Sequence, residues 1–253
     1  MTGVFDSGVG GLCALRELLR LYPEEDYVYL ADTAHLPYGE RTRGEVLRYT
    51  AEALCFFASL GVERVLLACG TASVSALEFC QKSFPFPVHG IAEHAAYATA
   101  NATKSLHIGV IATQRATESG IYTQLISSFC PASRVTAFAC PSLVALAEAG
   151  ADKETVFQAL KRELAPFERE KIDTLLLGCT HFSLLQDGFA AALPSVTLVD
   201  GAVTGAYGFA ATFLPSPKKK KGSLRLFATE NPRAFEAQAS RILGKRVRAE
   251  KAL

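Results

Sequence analysis

The sequence predicts an α/β protein made of two similar domains, each a mainly parallel sheet flanked by helices. Three observations carry this. Short, continuously apolar segments alternate with amphipathic ones, as buried parallel strands alternate with the helices that cover them. The 253 residues suit one large domain or two small ones, at roughly 100–200 residues each. The strand–helix pattern also runs its course and then starts again near residue 107.

In chain order, residues 3–5 read as a short buried strand that ends in Asp6-Ser7-Gly8-Val9-Gly10-Gly11. An amphipathic helix over Leu12–Leu21 follows. Residues 27–30 form a second strand, ending in Ala31-Asp32-Thr33. Residues 43–60 read as a helix with Gly61 as its stop signal. Residues 64–68 are a third strand ending at Cys69, and 72–80 read as helical. Pro85-Phe86-Pro87 interrupts, and a strand at 88–91 completes the first half.

In the second half, residues 107–111 are a strand ending at Ala112-Thr113, and a helix is expected around 118–129. A strand at 135–139 ends in Cys140-Pro141. A long helix at 155–167 is imperfect at Pro166. The strand at 173–177 ends in Gly178-Cys179-Thr180-His181, and a last core strand at 197–199 ends at Asp200. The two halves echo each other without gaps. Residues 62–69 align on 172–179, and residues 3–7 align on 109–113. The expected division is residues 1–89 with 203–253 as one domain and 90–202 as the other. The segment from 224 onward should add a strand and a helix that pack back on the first half. Lys218 to Lys221, between Pro217 and Gly222, reads as a solvated loop.

Composition narrows the function classes. Apolar residues at 49% and charged residues at 20% exclude a disordered chain. With 26 basic and 25 acidic residues, no global field points to nucleic acid or a membrane surface. No apolar run approaches the ~18 residues needed to span a bilayer. The first six residues lack a basic or long apolar leader. A cytoplasmic protein, with no membrane contact and no direct nucleic-acid binding, is expected.

The seven cysteines are odd in number and contain no CxxC pair, which argues against a zinc knuckle, a redox pair or a disulfide framework. Cys13, Cys55, Cys80 and Cys130 read as packing material. Cys69 and Cys179 differ, because both end strands and precede Thr-containing turns.

Ligands of open parallel sheets bind outside the carboxyl ends of the strands. The candidates are therefore Asp6 and Ser7, Asp32 and Thr33, Cys69 with Gly70 and Thr71, Thr113, Cys140, Cys179 with Thr180 and His181, and Asp200. A thiol just before a helix N-terminus feels the positive end of the dipole, which favours its thiolate. His181 could hold or supply a proton beside Cys179. Two facing thiols suit stereoinversion at a carbon acid, with a base on one face and an acid on the other. Such a pair needs neither a metal nor pyridoxal phosphate, and no cofactor is expected. Gly8-Val9-Gly10-Gly11-Leu12-Cys13 departs from the dinucleotide fingerprint at its last position. Its glycines read instead as a tight turn, or as backbone amides open to a carboxylate. Asp6 and Asp200 are also candidate helix caps.

Phe5-Asp6-Ser7-Gly8-Val9-Gly10-Gly11-Leu12 resembles the opening of glutamate racemases. So do Asp32-Thr33, Pro37-Tyr38-Gly39, Ala68-Cys69-Gly70-Thr71-Ala72-Ser73, Cys140-Pro141 with Glu148-Ala149-Gly150, and Leu177-Gly178-Cys179-Thr180-His181-Phe182. The resemblance runs from Gly3 to about Gly201 and implies a cofactor-independent racemase that interconverts L- and D-glutamate for peptidoglycan synthesis. It implies an active site in the cleft between the two domains, with Cys69 and Cys179 as the acid/base pair. Asp6 would assist on the Cys69 side, and Glu148 and His181 on the Cys179 side. Asp6, Ser7, Pro37, Tyr38, Gly39, Gly70, Thr71, Thr113, Thr180 and His181 would bind substrate. A homodimer, and a contact with DNA gyrase of the kind some members make, are expected by resemblance alone.

The sequence departs from the family at Gly70, where relatives carry Asn, so Gly70→Asn is expected to raise kcat/KM several-fold. Phe182-Ser183 replace Tyr-Pro after His181, with little expected effect. Glu93-His94 replace a usual Pro-Gly, which bears on the hinge. Two alternatives remain: a racemase of another amino acid such as aspartate, and a weakly active or inactive homologue that acts as a binding protein.

Overall fold

In the computed structural model, which describes residues 1–212 and 221–252, the chain folds around two parallel sheets. Four strands open the chain: β1 (Thr2–Asp6), β2 (Tyr27–Ala31), β3 (Arg64–Leu67) and β4 (Val88–Gly90). Four more form the second sheet: β5 (His107–Ala112), β6 (Arg134–Ala139), β7 (Thr174–Leu177) and β8 (Thr197–Asp200). The chain then returns to the first sheet as β9 (Leu224–Ala228) and β10 (Ala249–Lys251). The strand orders are β10-β9-β2-β1-β3-β4 and β6-β5-β7-β8. Residues 1–7, 64–69, 107–113 and 174–179 therefore occupy equivalent places, and the sequence echo is a repeat of topology.

Register positions the candidate residues. Phe5 lies opposite Leu30 and Leu67, so Ser7 and Cys69 emerge side by side at the carboxyl edge. Ile111 lies opposite Leu177 in the second sheet, which does the same for Thr113 and Cys179. In both sheets the chain order reverses between these two strands, at the point where open α/β sheets leave a crevice. The central strands β1, β2 and β7 are buried throughout, as their continuous apolar sequences require.

The helices refine the sequence reading. Leu12–Leu21 is helical as expected. Arg43–Ser59 starts from a Thr42–Glu45 capping box and stops before Gly61, whose φ is +71°. The helix expected over 72–80 is two, Gly70–Ser75 and Leu77–Ser83. The one expected over 118–129 breaks at Gly120, with φ of +67°, into Gln114–Glu118 and Ile121–Phe129. Helices Ala92–Ala102 and Gly201–Ala210 pack on each other at the junction of the lobes, and the second also packs on Leu12–Leu21. The C-terminal segment contributes the strand and helix expected of it, and also β10, which a short polar segment does not announce.

Cys55 corrects the sequence reading. It is exposed, because helix Arg43–Ser59 buries Val46, Tyr49, Thr50, Ala53, Leu54 and Phe57 and residue 55 falls off that stripe. Lys218, Lys219 and Lys220 lie outside the described residues, and Lys221 is exposed. Among the described residues, no helix is long and apolar enough to cross a membrane.

Candidate active site

The two lobes meet at the carboxyl edges of their sheets, and the meeting surfaces enclose a small cavity. Ser7, Leu36, Pro37, Tyr38, Gly39, Cys69, Gly70 and Thr71 line it from the first lobe. Thr113, Val144, Cys179, Thr180 and His181 line it from the second. The enclosed space is about 10 Å³, room for about one water-sized sphere. A second cavity of about 180 Å³ adjoins it and shares Leu36, Pro37, Gly39, Thr113 and Val144, with Glu148 on its wall.

Each thiol has a partner from its own lobe. Cys69 precedes helix Gly70–Ser75, and its Sγ lies 3.6 Å from Ser7 Oγ. Cys179 Sγ lies 3.6 Å from His181 Nδ1. The opposite ring nitrogen, His181 Nε2, is 2.5 Å from Glu148 Oε1. Cys179, His181 and Glu148 thus form one continuous line of proton-carrying groups.

The carboxylates also reach across the cleft. Asp6 is fully buried behind the cavity wall, where its Oδ1 accepts from the Gly8 amide at 2.8 Å. Its Oδ2 accepts from Thr180 Oγ1 of the other lobe at 3.0 Å. Glu148 Oε1 accepts from the Val9 amide of the first lobe at 3.4 Å. Thr71 and Thr113 join the lobes through hydroxyls 2.8 Å apart.

The glycine loop after β1 makes this approach feasible. A Cβ on Gly8 would lie 2.5 Å from Glu148 Oε1, and one on Gly10 would lie 2.5 Å from Thr180 Oγ1. The carboxylate that meets the loop is the protein's own Glu148. The expected alternatives for the two aspartates also resolve. Asp200 caps helix Gly201–Ala210 by accepting from Ala202 and Val203, whereas Asp6 accepts from the Gly8 amide and from Thr180 of the other lobe.

Burial shapes the protonation of the site. Burial, and then the Asp6 charge, push the Cys69 thiol up to about 12, against opposing bonds from the Ala72 amide and Ser7. Burial also raises the Asp6 carboxyl above its ordinary value, while the charge of His181 pulls it down. Burial alone would make His181 less basic. Its hydrogen bonds to Cys179 and Glu148 outweigh this and keep the ring protonated well above the usual histidine range. An imidazolium donates from both nitrogens, one toward Cys179 and one toward Glu148.

Outside the cavity, Asp32 gathers Tyr38 OH at 2.7 Å, Thr229 Oγ1 at 2.8 Å and His35 Nδ1 at 2.9 Å. It therefore supports Tyr38 from behind and does not line the site. Cys140 is buried at the start of helix Pro141–Ala149 and does not line the cavity either. Sequence reasoning missed Leu36 and Val144, apolar neighbours of the motifs, and Tyr122. The Tyr122 hydroxyl donates to the Gly178 carbonyl at 3.0 Å. Among the described residues, no three His, Cys, Asp or Glu side chains gather in a way that could hold a metal ion.

The arrangement places two thiols on opposite walls of one enclosed space, each with a hydrogen-bonding partner that can assist proton transfer. Similar proteins share this chain's whole extent. Residues 14–207 match the family model described as Asp/Glu/Hydantoin racemase. A glutamate racemase of Gloeobacter violaceus is 41% identical over 241 residues, which cover 94% of this chain and 90% of that one. Among solved structures, a glutamate racemase isoform from Bacillus anthracis is 31% identical with a TM-score of 0.95, covering 100% of this chain and 97% of that chain. The Escherichia coli glutamate racemase, solved in complex with L-glutamate and the activator UDP-MurNAc-ala, is 30% identical with a TM-score of 0.83. That match covers 99% of this chain and 97% of the other.

Proposed function

The chain belongs to the Asp/Glu/Hydantoin racemase family, and on that premise we propose that it interconverts L- and D-glutamate by two-thiol acid/base catalysis. The observation that carries the proposal is the placement of Cys69 and Cys179 on opposite walls of one cavity, at equivalent strand ends of the two lobes. Inversion at Cα requires a thiolate on one face to take the proton and a thiol on the other to return one. The electron pair left on Cα collects the second proton, so no net proton is consumed and the two sulfurs exchange states. In the reverse direction their roles exchange.

The surroundings fit that division. Cys69, held as a thiol by burial, supplies the proton in one direction. The doubly donating His181 beside Cys179 balances negative charge at that sulfur, and Glu148 holds the ring in place. Asp6 is the carboxylate nearest the Cys69 side. Ser7, Thr71, Thr113 and Thr180 offer hydroxyls, and Pro37, Tyr38, Gly39 and Gly70 offer backbone to the carboxylates and ammonium of the substrate. The enclosed space is too small for an amino acid in this closed form, so substrate entry requires the lobes to part. Residues 1–89 with 203–253 move as one lobe in this reading, and 90–202 as the other. The product would serve peptidoglycan synthesis, the general role of the glutamate racemases that this chain resembles.

The test is incubation of the purified protein with L-glutamate in heavy water. D-glutamate carrying deuterium at Cα is the expected product, because a thiol exchanges its proton with solvent. D-product that retains protium would exclude the two-thiol route. Absence of D-glutamate altogether, with aspartate racemised instead, would move the substrate assignment.

A further inference from the structure

The helix that carries Glu148 is finished by the opposite lobe. Helix Pro141–Ala149 ends at Gly150, which has a left-handed φ of +62° and whose amide closes back on Ala147 and Leu146. The Ala151 amide also returns to the Leu146 carbonyl, at 3.0 Å. The Glu148 carbonyl is bonded from outside the helix, by Gln238 Nε2 at 2.8 Å. Beside it, the Arg241 guanidinium lies so close over Gly150 that a Cβ there would meet it at 2.8 Å. Both residues belong to helix Pro232–Ile242. That helix follows β9 of the first sheet and is anchored there by Phe235, stacked on Tyr29 with ring centroids 5.8 Å apart.

We infer that Gln238 is a positioning residue, capping the Glu148 helix from the other lobe so that the Glu148–His181–Cys179 line is set only when the lobes are closed. The inference rests on the racemase reading for its kinetic consequence, not for its geometry. The last carbonyls of a helix have no partner within it, and they favour a donor and a positive charge. Gln238 supplies the donor and Arg241 the charge. Opening the cleft withdraws both, together with the bond from the Val9 amide to the Glu148 carboxylate. Closure therefore fixes Glu148 at two points, its main-chain carbonyl and its side chain. The Ser7–Cys69 pair sits on one sheet, and its bond at 3.6 Å is made within one lobe.

The test replaces the donor without changing the side chain's size, as Gln238→Leu and Gln238→Met. Each is compared with Arg233→Ala, an exposed position on the same helix. Racemisation has an equilibrium constant of one, so kcat/KM must fall equally for both enantiomers, by roughly three- to tenfold. The informative readout is asymmetric. The Cα-deuterium isotope effect should rise only for the enantiomer whose proton Cys179 removes. In parallel, labelling by hydrogen peroxide, a probe close to water in size that suits the closed cavity, followed by peptide mass spectrometry should show the Cys179-to-Cys69 rate ratio falling several-fold, with Arg233→Ala unchanged. Variants that fold and keep both the wild-type isotope effects and the labelling ratio overturn the inference. So do changes that are equal at the two cysteines. The labelling ratio needs no substrate. A wild-type protein that failed to racemise glutamate would sink the racemase reading, while the ratio would still decide the role of Gln238.

Discussion

The carbonyl oxygen of Gly178 presses against the α-carbon of Gly70, so close that a Cβ there would overlap it. The contact joins the residue after Cys69 to the residue before Cys179, one from each lobe. Tyr122 locks it, because its hydroxyl bonds the same carbonyl at 3.0 Å and would lie 3.2 Å from a Cβ on Gly70. The sequence expectation that Gly70→Asn improves the enzyme is therefore reversed. An Asn side chain can enter only by displacing backbone at Cys179 or holding the lobes apart. Gly70→Asn should lower kcat/KM by about tenfold or more, the equivalent of about 1.4 kcal/mol in the barrier. Gly70→Ala should show most of that loss, since the clash begins at Cβ. Chiral chromatography of the product time course checks both, and a gain of several-fold for Gly70→Asn would show that the lobes close differently.

Cys69→Ala and Cys179→Ala should each remove nearly all racemisation, because inversion needs one group on each face. Cys55→Ser should leave both turnover and stability within about 0.5 kcal/mol of the parent, its thiol being exposed. Initial rates in both directions, with denaturant melts of each variant, separate lost chemistry from lost structure. Near-parental turnover by either Ala variant would exclude the two-base scheme.

The sequence made some of this legible and not the rest. The two cysteines stood out because strand ends and an internal repeat are local patterns. Register then carries both to one crevice with no further information. Cys55, by its residue type, reads as packing material, and its outward position became legible only once the face that its helix buries was known. Leu36, Val144, Tyr122 and Gln238 were not legible, because each matters only through contact with the opposite lobe or with another strand end. No periodicity encodes such contacts. The glycines of the loop after β1 lie between these cases. Their spacing signalled close approach, but only the packed lobes reveal that Glu148 and Thr180 are what approach.

His181 should make stability fall as pH rises above neutrality. Its folded pKa lies well above the ordinary 6.5, so between the two values the folded state binds the extra proton. The stabilisation is then complete below about 6.5 and is lost as pH climbs through the folded value, by at most about 1.4 kcal/mol per pH unit. The Cys69 thiol adds a loss of the same sign only above its ordinary 9.0, toward about 12. Urea melts between pH 6.5 and 9 should therefore slope downward for the parent and flatten for His181→Asn. Equal slopes would mean that His181 is neutral in the folded protein.

Tyr38→Phe should cost stability and activity together. The Tyr38 hydroxyl is buried and bonded to Asp32 at 2.7 Å, so its removal leaves a buried carboxylate short of a donor, at about 1–3 kcal/mol. Tyr38 also lines the cavity, and kcat/KM should fall several-fold as its backbone loses support. Asp32→Asn keeps an acceptor for the same hydroxyl and should cost less. Thermal melts and steady-state kinetics on the pair decide this. A Phe variant with parental values in both would show that Asp32 is held well enough by His35 and Thr229.

Gly10→Ala separates folding from closure. Gly10 sits in the turn after β1, and its partners at the would-be Cβ are Thr180 Oγ1 at 2.5 Å and the His181 amide at 2.7 Å, both from the other lobe. Backbone cannot yield as a flexible side chain can, so a methyl group at residue 10 must keep the lobes from meeting. Nothing in the first lobe's core requires the glycine, and that lobe should fold with its sheet intact. The circular dichroism spectrum and the first lobe's stability should thus stay close to the parent. Racemisation should fall by at least about tenfold, through loss of the Asp6–Thr180 bond and the paired approach of the two thiols. Small-angle scattering should show a larger radius for the variant. A compact, fully active Gly10→Ala protein would mean that catalysis proceeds without the interlobe contact at Thr180, and the closed cleft would no longer be the reacting form.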